Sequence, residues 1–276
     1  MNDAYKANMR EKKMKLTKRL LLAAVASAAL FGAAPAFAEL KMGVAAEPYP
    51  PFTSKNAAGV WEGWEVDFMN AVCAEIGETC AVEEVAWDGI IPALTSKKFD
   101  AIMSSMSITD ERKKTISFTD MYYNSAAVIL GAKDGNMKFA PEDLSGKTVG
   151  VQVSTTHAAY IDKYYAPKGA VVKTYATQDE ANSDLAAGRL DYIMADGVAL
   201  DAFLASEQGT ACCELKGAVP NDVEILGAGV GFGIRQEDSA LVEKLNGGIK
   251  SLIAKGTFKE ITTKWKLDGK LVLPGM

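Results

Sequence analysis

The stretch Ser104-Ser105-Met106-Ser107-Ile108-Thr109-Asp110-Glu111-Arg112 follows a short apolar strand and ends on a guanidinium. Hydroxyls at the carboxyl end of a parallel strand stand where open α/β sheets receive ligands. Thr109 or Ser107 is suited to cap a helix that starts here, which puts Arg112 in the first turn, where a cation opposes the helix dipole. That placement points to an anionic partner from outside the helix. A guanidinium grips a carboxylate through two parallel hydrogen bonds, so the chemistry suggested is capture of a carboxylate. Pairing of Arg112 with Asp110 or Glu111 on the surface explains the residue as well on local grounds.

A second stretch, Gly150-Val151-Gln152-Val153-Ser154-Thr155-Thr156-His157, reads as a strand running into a helix whose free N–H groups form an anion site, with hydroxyls as added donors. Taken alone it is equally an ordinary helix cap. Glu47-Pro48-Tyr49-Pro50-Pro51-Phe52 is a proline-stiffened loop that cannot be sheet interior, so Tyr49 can face a cleft. Asp196 follows the strand Tyr192 to Met194, at the same strand ends as the hydroxyl stretches, and can face the cleft, cap the helix from Gly197, or do both.

Positioning these residues requires a scaffold of alternating strands and helices. Strands are expected at Leu40 to Val44, Ala81 to Val85, Ala101 to Met103, Ala126 to Leu130, Thr148 to Val153, Val171 to Tyr175 and Tyr192 to Met194. Helices are expected near Val66 to Ile76, Ile90 to Leu94, Thr155 to Tyr164, Asp179 to Ala187, Val198 to Ala205, Ser239 to Ile253 and Phe258 to Trp265. This alternation predicts an α/β fold with largely parallel sheets, restarting as a second unit after Tyr122-Tyr123-Asn124. Gly227, Gly229, Gly231 and Gly233 lack the spacing and helix start of a dinucleotide fingerprint and read as a glycine-rich strand or hinge.

The ends and composition set the compartment. Lys15, Lys18 and Arg19 precede an apolar run from Leu20 to Phe37 that closes on Ala36-Phe37-Ala38, the pattern of a signal peptide over residues 1–38, with Met14 an alternative start. That run, Ala-rich and holding Pro35, is too short for a comfortable span of about 20 residues, and no later stretch qualifies. The leader carries Lys6, Arg10, Lys12, Lys13, Lys15, Lys18 and Arg19 against Asp3 and Glu11, so the net charge of −5 becomes −10 for the remaining 238 residues. Such a surface disfavours nucleic acid and mildly favours cations. Export makes disulfides the expectation. Cys73, near a helix end, pairs with Cys80, at the next strand's start; the adjacent Cys212 and Cys213 are left as a vicinal bridge, two thiols or an intermolecular pair. One histidine and no Cys-x-x-Cys spacing argue against zinc, and no metal or cofactor is expected.

Gly63-Trp64-Glu65-Val66-Asp67-Phe68, Ser105-Met106-Ser107-Ile108-Thr109-Asp110-Glu111-Arg112 and Leu144-x-Gly146-Lys147-x-Val149-Gly150-Val151 resemble the type-3 extracellular solute-binding proteins of ABC importers, nearest the lysine/arginine/ornithine and histidine-binding branch. The resemblance implies a periplasmic-binding-protein fold of two lobes joined by two hinge strands, with residues 39–124 and 227–276 in lobe one and 125–226 in lobe two. It implies a periplasmic monomer that captures an amino acid and hands it to a membrane permease. Carried over by position, Arg112 with Ser107 and Thr156 holds the α-carboxylate, Asp196 and Ser105 take the α-ammonium, and Trp87 and Tyr49 sandwich the side chain. Ser104 and Thr155 complete the set, and Glu65 matches an acidic position near the side-chain end. A cationic ligand suits aromatic faces and acids, so a basic amino acid is expected. The chain departs from the pattern at Ala45-Ala46-Glu47, at Trp64 and at His157. A neutral polar amino acid or an opine is the alternative ligand. A dehydratase-like enzyme using His157 with Ser154 or Ser105 is the alternative activity, and it lacks a third group to orient the base.

Overall fold

The computed structural model describes residues 39–133 and 141–274. The expected signal peptide, residues 1–38, lies outside them. Among the described residues no helix is long and apolar enough to cross a membrane.

The first lobe opens with β1 (Glu39–Ala45), a small hairpin of β2 (Ser54–Lys55) and β3 (Trp61–Glu62), then α1 (Trp64–Glu75), β4 (Thr79–Val85), α2 (Ile90–Thr95), β5 (Ala101–Ile102), the one-turn α3 (Asp110–Lys113) and β6 (Ile116–Phe118). The second lobe contains β7 (Ala127–Ala132), β8 (Thr148–Gln152), α4 (Thr156–Tyr164), β9 (Val171–Tyr175), α5 (Gln178–Ala186), β10 (Tyr192–Asp196), α6 (Gly197–Leu204), α7 (Glu207–Cys212), β11 (Cys213–Ala218) and α8 (Val223–Leu226). The chain then returns for β12 (Gly233–Arg235), α9 (Ser239–Lys255) and α10 (Thr257–Lys264).

Two five-stranded sheets result, ordered β4-β1-β5-β12-β6 and β11-β7-β10-β8-β9. Helical crossovers make β1 parallel to β4 and β5, and β8 parallel to β9 and β10. The largely parallel expectation fails at β12, antiparallel to β5 and β6, and at β7, antiparallel to β10 and β11. The reason is topological: β7 and β12 each follow a passage between lobes and not a helix packed on a sheet, so nothing forces them into the parallel direction. The two passages run side by side, with Tyr123 bridged to Val230. The glycine-rich strand expected over 227–233 is confined to its last residue, because Gly227 and Gly229 hold φ of 89° and 112°, outside strand geometry.

Each lobe has its own core. In the first, Trp64, Phe68, Tyr122 and Phe232 form a fully buried aromatic stack, with Phe68 and Phe232 rings 5.7 Å apart and nearly parallel. In the second, Ile129, Val149, Ile161 and Met194 pack one face of the sheet, and Leu130, Leu185, Ile193 and Leu200 the other. Alternate residues of β7 and β10 thus serve opposite layers, the period-2 burial expected of central strands. Cys73 and Cys80 form the expected bridge from α1 to β4, and of the three options for Cys212 and Cys213 the structure shows the vicinal disulfide.

Candidate functional site

Both sheets aim the carboxyl ends of β1, β5, β8 and β10 at one cleft of about 550 Å³, counting the space at its mouth. Nine of the sequence-derived positions line it: Tyr49, Trp87, Ser104, Ser105, Ser107, Arg112, Thr155, Thr156 and Asp196. Residues 147 apart in sequence meet here, since the Tyr49 hydroxyl donates to Asp196 Oδ2 at 2.7 Å.

Arg112 is held by the loop after β5. Thr109 caps α3, its Oγ1 accepting from Arg112 N at 3.2 Å. The helix is a single turn, so the dipole argument for an anion does not stand: Arg112 lies near both ends. The guanidinium supplies a better argument. It donates to Ser107 O at 2.9 Å and Ser154 O at 3.2 Å, lies 5.4 Å from the Trp87 ring, and forms no ion pair among the described residues. Burial lowers its pKa to about 10, against the pull of Asp196. A half-buried cation whose hydrogen bonds go to carbonyls has room for a counter-charge that no described residue supplies by an ion pair.

Asp196 ends β10 and precedes α6, but its side chain makes no cap hydrogen bond. It turns into the cleft instead, 3.6 Å from His157 Nε2 as well as bonded to Tyr49. Burial would raise its pKa, yet His157, Tyr49 and Arg112 together hold it below the ordinary value, so it is an anion. Burial and the same carboxylate push the Tyr49 phenol well up. The cleft therefore carries a fixed cation, Arg112, and a fixed anion, Asp196, with hydroxyls between them.

The hydroxyls divide their work. Ser104 Oγ accepts from Ala45 N at 3.1 Å, tying β1 to the loop after β5. Thr155 Oγ1 caps α4 by accepting from Ala158 N and donates to Gln152 O, so its hydroxyl is spent locally. Ser105 and Ser154 sit at φ of 50° and 60°, the sparsely populated left-handed region; Ser105 lines the cleft and the Ser154 carbonyl accepts from Arg112. Among the described residues three hydrogen bonds join the lobes at the cleft, Tyr49 to Asp196, Arg112 to Ser154 O, and Trp87 Nε1 to Val153 O at 3.1 Å, and Lys270 Nζ to Asp201 Oδ2 at 2.9 Å joins them outside it.

Glu65 departs from expectation. It is fully buried, does not line the cleft, and cannot touch a ligand's side-chain end; its carboxylate lies behind Ser105, accepting from the Ser105 amide and hydroxyl and from Tyr122. The reason is that the first turn of α1 packs against the loop after β5 and the first passage, where the Ser105 amide and hydroxyl and the Tyr122 hydroxyl satisfy the carboxylate. Acidity near the aromatic faces comes from Glu47, which lines the cleft and accepts from Trp87 N at 3.2 Å. Gln152, His157 and Gln178 also line it. Gln152 and His157 fall within a stretch already singled out, and Gln178 follows the Thr177 cap at the carboxyl end of β9, a position signal of the same kind. His157 pairs with Asp196 and not with a serine hydroxyl among the described residues.

A two-lobe α/β fold with a charged, hydroxyl-lined cleft at its strand ends is that of a solute-binding protein. The chain belongs to the bacterial extracellular solute-binding proteins, family 3, whose sequence profile matches residues 40–268. It is 40% identical over 254 residues to an L-arginine-binding protein of Pseudomonas aeruginosa, covering 91% of this chain and 96% of that one. It is 37% identical over 256 residues to the histidine-binding periplasmic protein of Salmonella typhimurium, covering 92% and 96%. The solved structure of an ancestral arginine-binding protein bound to arginine superposes with a TM-score of 0.76 at 31% identity, covering 82% of this chain and 97% of that one.

Proposed function

We propose that this protein captures a basic L-amino acid in the periplasm and delivers it to the membrane permease of an ABC importer. The observation that carries the reading is the half-buried Arg112 guanidinium, without an ion pair among the described residues, lining one hydroxyl-bearing cleft with the Asp196 carboxylate, a cation for an α-carboxylate and an anion for an α-ammonium. Ser107 and Thr156 assist the carboxylate, and Ser105 assists the ammonium. Tyr49, Trp87 and the Glu47 carboxylate, all lining the cleft, receive the side chain, and all three favour a cation. The relatives' printed ligands, arginine and histidine, support the same class.

Lobe one comprises residues 39–124 and 227–276 and lobe two residues 125–226, in this reading, and the paired passages at Tyr123 and Val230 bend as the lobes close on ligand. Residues 1–38 direct export. Titration calorimetry with L-arginine, L-histidine, L-lysine, L-glutamine and L-glutamate tests the ligand class: basic amino acids are expected to bind tightest and glutamate not at all, since its second carboxylate meets like charge in a desolvated cleft. Tighter binding of glutamine than of every basic amino acid overturns it.

A further inference from the structure

Glu65 is the one buried acid in the described residues that touches the cleft only through another side chain. Both its oxygens accept from the Ser105 amide, at 2.9 and 3.0 Å, and Oε2 accepts from the Ser105 hydroxyl at 2.9 Å, while Tyr122 donates to Oε1. Ser105 in turn lines the cleft, held at φ 50° by that clamp. When its hydroxyl proton is committed to Glu65, the Ser105 oxygen can only accept from the cleft side. That is the polarity an ammonium requires. A protonated Glu65 would instead donate to the Ser105 oxygen, freeing the serine proton to point at the ligand's own donors.

We propose that Glu65 is a positioning residue that fixes the Ser105 hydroxyl as an acceptor for the ligand's α-ammonium, so that amino-acid capture expels a proton from this buried carboxyl to the solvent buffer. The inference rests on the amino-acid reading of the cleft, and it adds a linkage to pH. The titratable groups facing Glu65 are the phenols of Tyr122 and Tyr123 from the first passage, Tyr49 from the loop after β1, and the Asp196 carboxylate from the second lobe. Each is a neutral acid or an anion, and no cation pairs with Glu65 among the described residues. Burial, opposed by the hydrogen bonds from Tyr122 and Ser105, pushes its pKa up to about 7. An ammonium arriving at Ser105 adds a positive charge one side chain away from the carboxylate and favours its ionised form.

The test is titration calorimetry of L-arginine into the mature chain at pH 6.5, in buffers of different ionisation enthalpy. Wild type is expected to release about three quarters of a proton per ligand, falling to almost none at pH 8.5. Its affinity is expected to rise up to about tenfold per pH unit below pH 7 and then level. Glu65→Gln is expected to bind about 10- to 100-fold more weakly at pH 8 and to release no proton. Glu65→Asp, with the charge restored, regains release. Tyr122→Phe leaves Glu65 in place, removes one hydrogen bond to its ionised form, and shifts the affinity profile to higher pH, which covers the case in which Glu65→Gln does not fold. Absence of release in wild type overturns the proposal. So does release that survives Glu65→Gln and vanishes in His157→Asn. A chain that binds glutamine in place of arginine refutes the basic-ligand reading alone, because the same release is then read with L-glutamine, whose α-ammonium is identical.

Discussion

Replacing Arg112 by alanine should separate ligand binding from folding. In the folded protein the guanidinium spends two donors on Ser107 O and Ser154 O and lies over the Trp87 ring, while no carboxylate neutralises it among the described residues. A ligand carboxylate entering the cleft would be that partner. Deleting one member of a desolvated, hydrogen-bonded charge pair costs about 2–5 kcal/mol, or roughly 30- to 5,000-fold in Kd. The ligand-free protein should respond differently. Two hydrogen bonds to carbonyls are lost, at about 1 kcal/mol each, but so is the penalty of partly desolvating a cation that has no ion pair, and the two changes oppose each other. Melting of ligand-free Arg112→Ala is therefore expected within a few degrees of wild type. Arg112→Lys keeps the charge without the planar fork and should recover only part of the affinity. Calorimetry and thermal melting on the same preparations check both halves. Near-native affinity in the alanine variant refutes the role; a melting temperature that collapses with no ligand present refutes the view that this cation is held at a cost for binding.

Other outcomes follow from the same geometry. Trp87→Ala should weaken a basic ligand by about 2–3 kcal/mol, from the lost ring face and the lost bond to Val153 O across the lobes, measured by calorimetry against L-arginine. Ligand-free stability should fall as pH rises from about 4.5 to 7, because Glu65 binds its proton more tightly folded than unfolded; the loss is about 3 kcal/mol at most, and urea denaturation of Glu65→Gln should show a flatter profile over that window. Reducing or deleting the Cys73–Cys80 bridge, which closes a loop seven residues apart, should cost about 2–3 kcal/mol in denaturant unfolding.

The parts of this protein legible in its sequence are those where local chemistry and tertiary role coincide. The strand-then-hydroxyl stretches after β5 and β8 are such cases, because a strand end needs a polar turn whether or not it binds anything, and the cleft exploits that turn. Helices α4, α5 and α6 were legible within a residue or two from their caps and apolar spacing. What escaped was decided by long-range packing. The short edge strand β6 and the strand β11 carry no clear period, and their places are set by β12 and β7, reached through the passages between lobes. Glu65 shows the limit most clearly: its family position suggested a ligand contact, but its partners, Ser105 and Tyr122, are 40 and 57 residues away and meet it only in the folded lobe. The Tyr49 to Asp196 bond is likewise invisible to any local pattern, since it exists only when two lobes meet.

The central claim, capture of a basic amino acid, is tested most directly by identifying what the protein carries. Protein purified from a periplasmic extract without added ligand would be denatured, and the released small molecule identified and quantified by mass spectrometry. Arginine, lysine, ornithine or histidine in near-stoichiometric amount is the expected result; near-stoichiometric glutamine, glutamate or an aliphatic amino acid would contradict it.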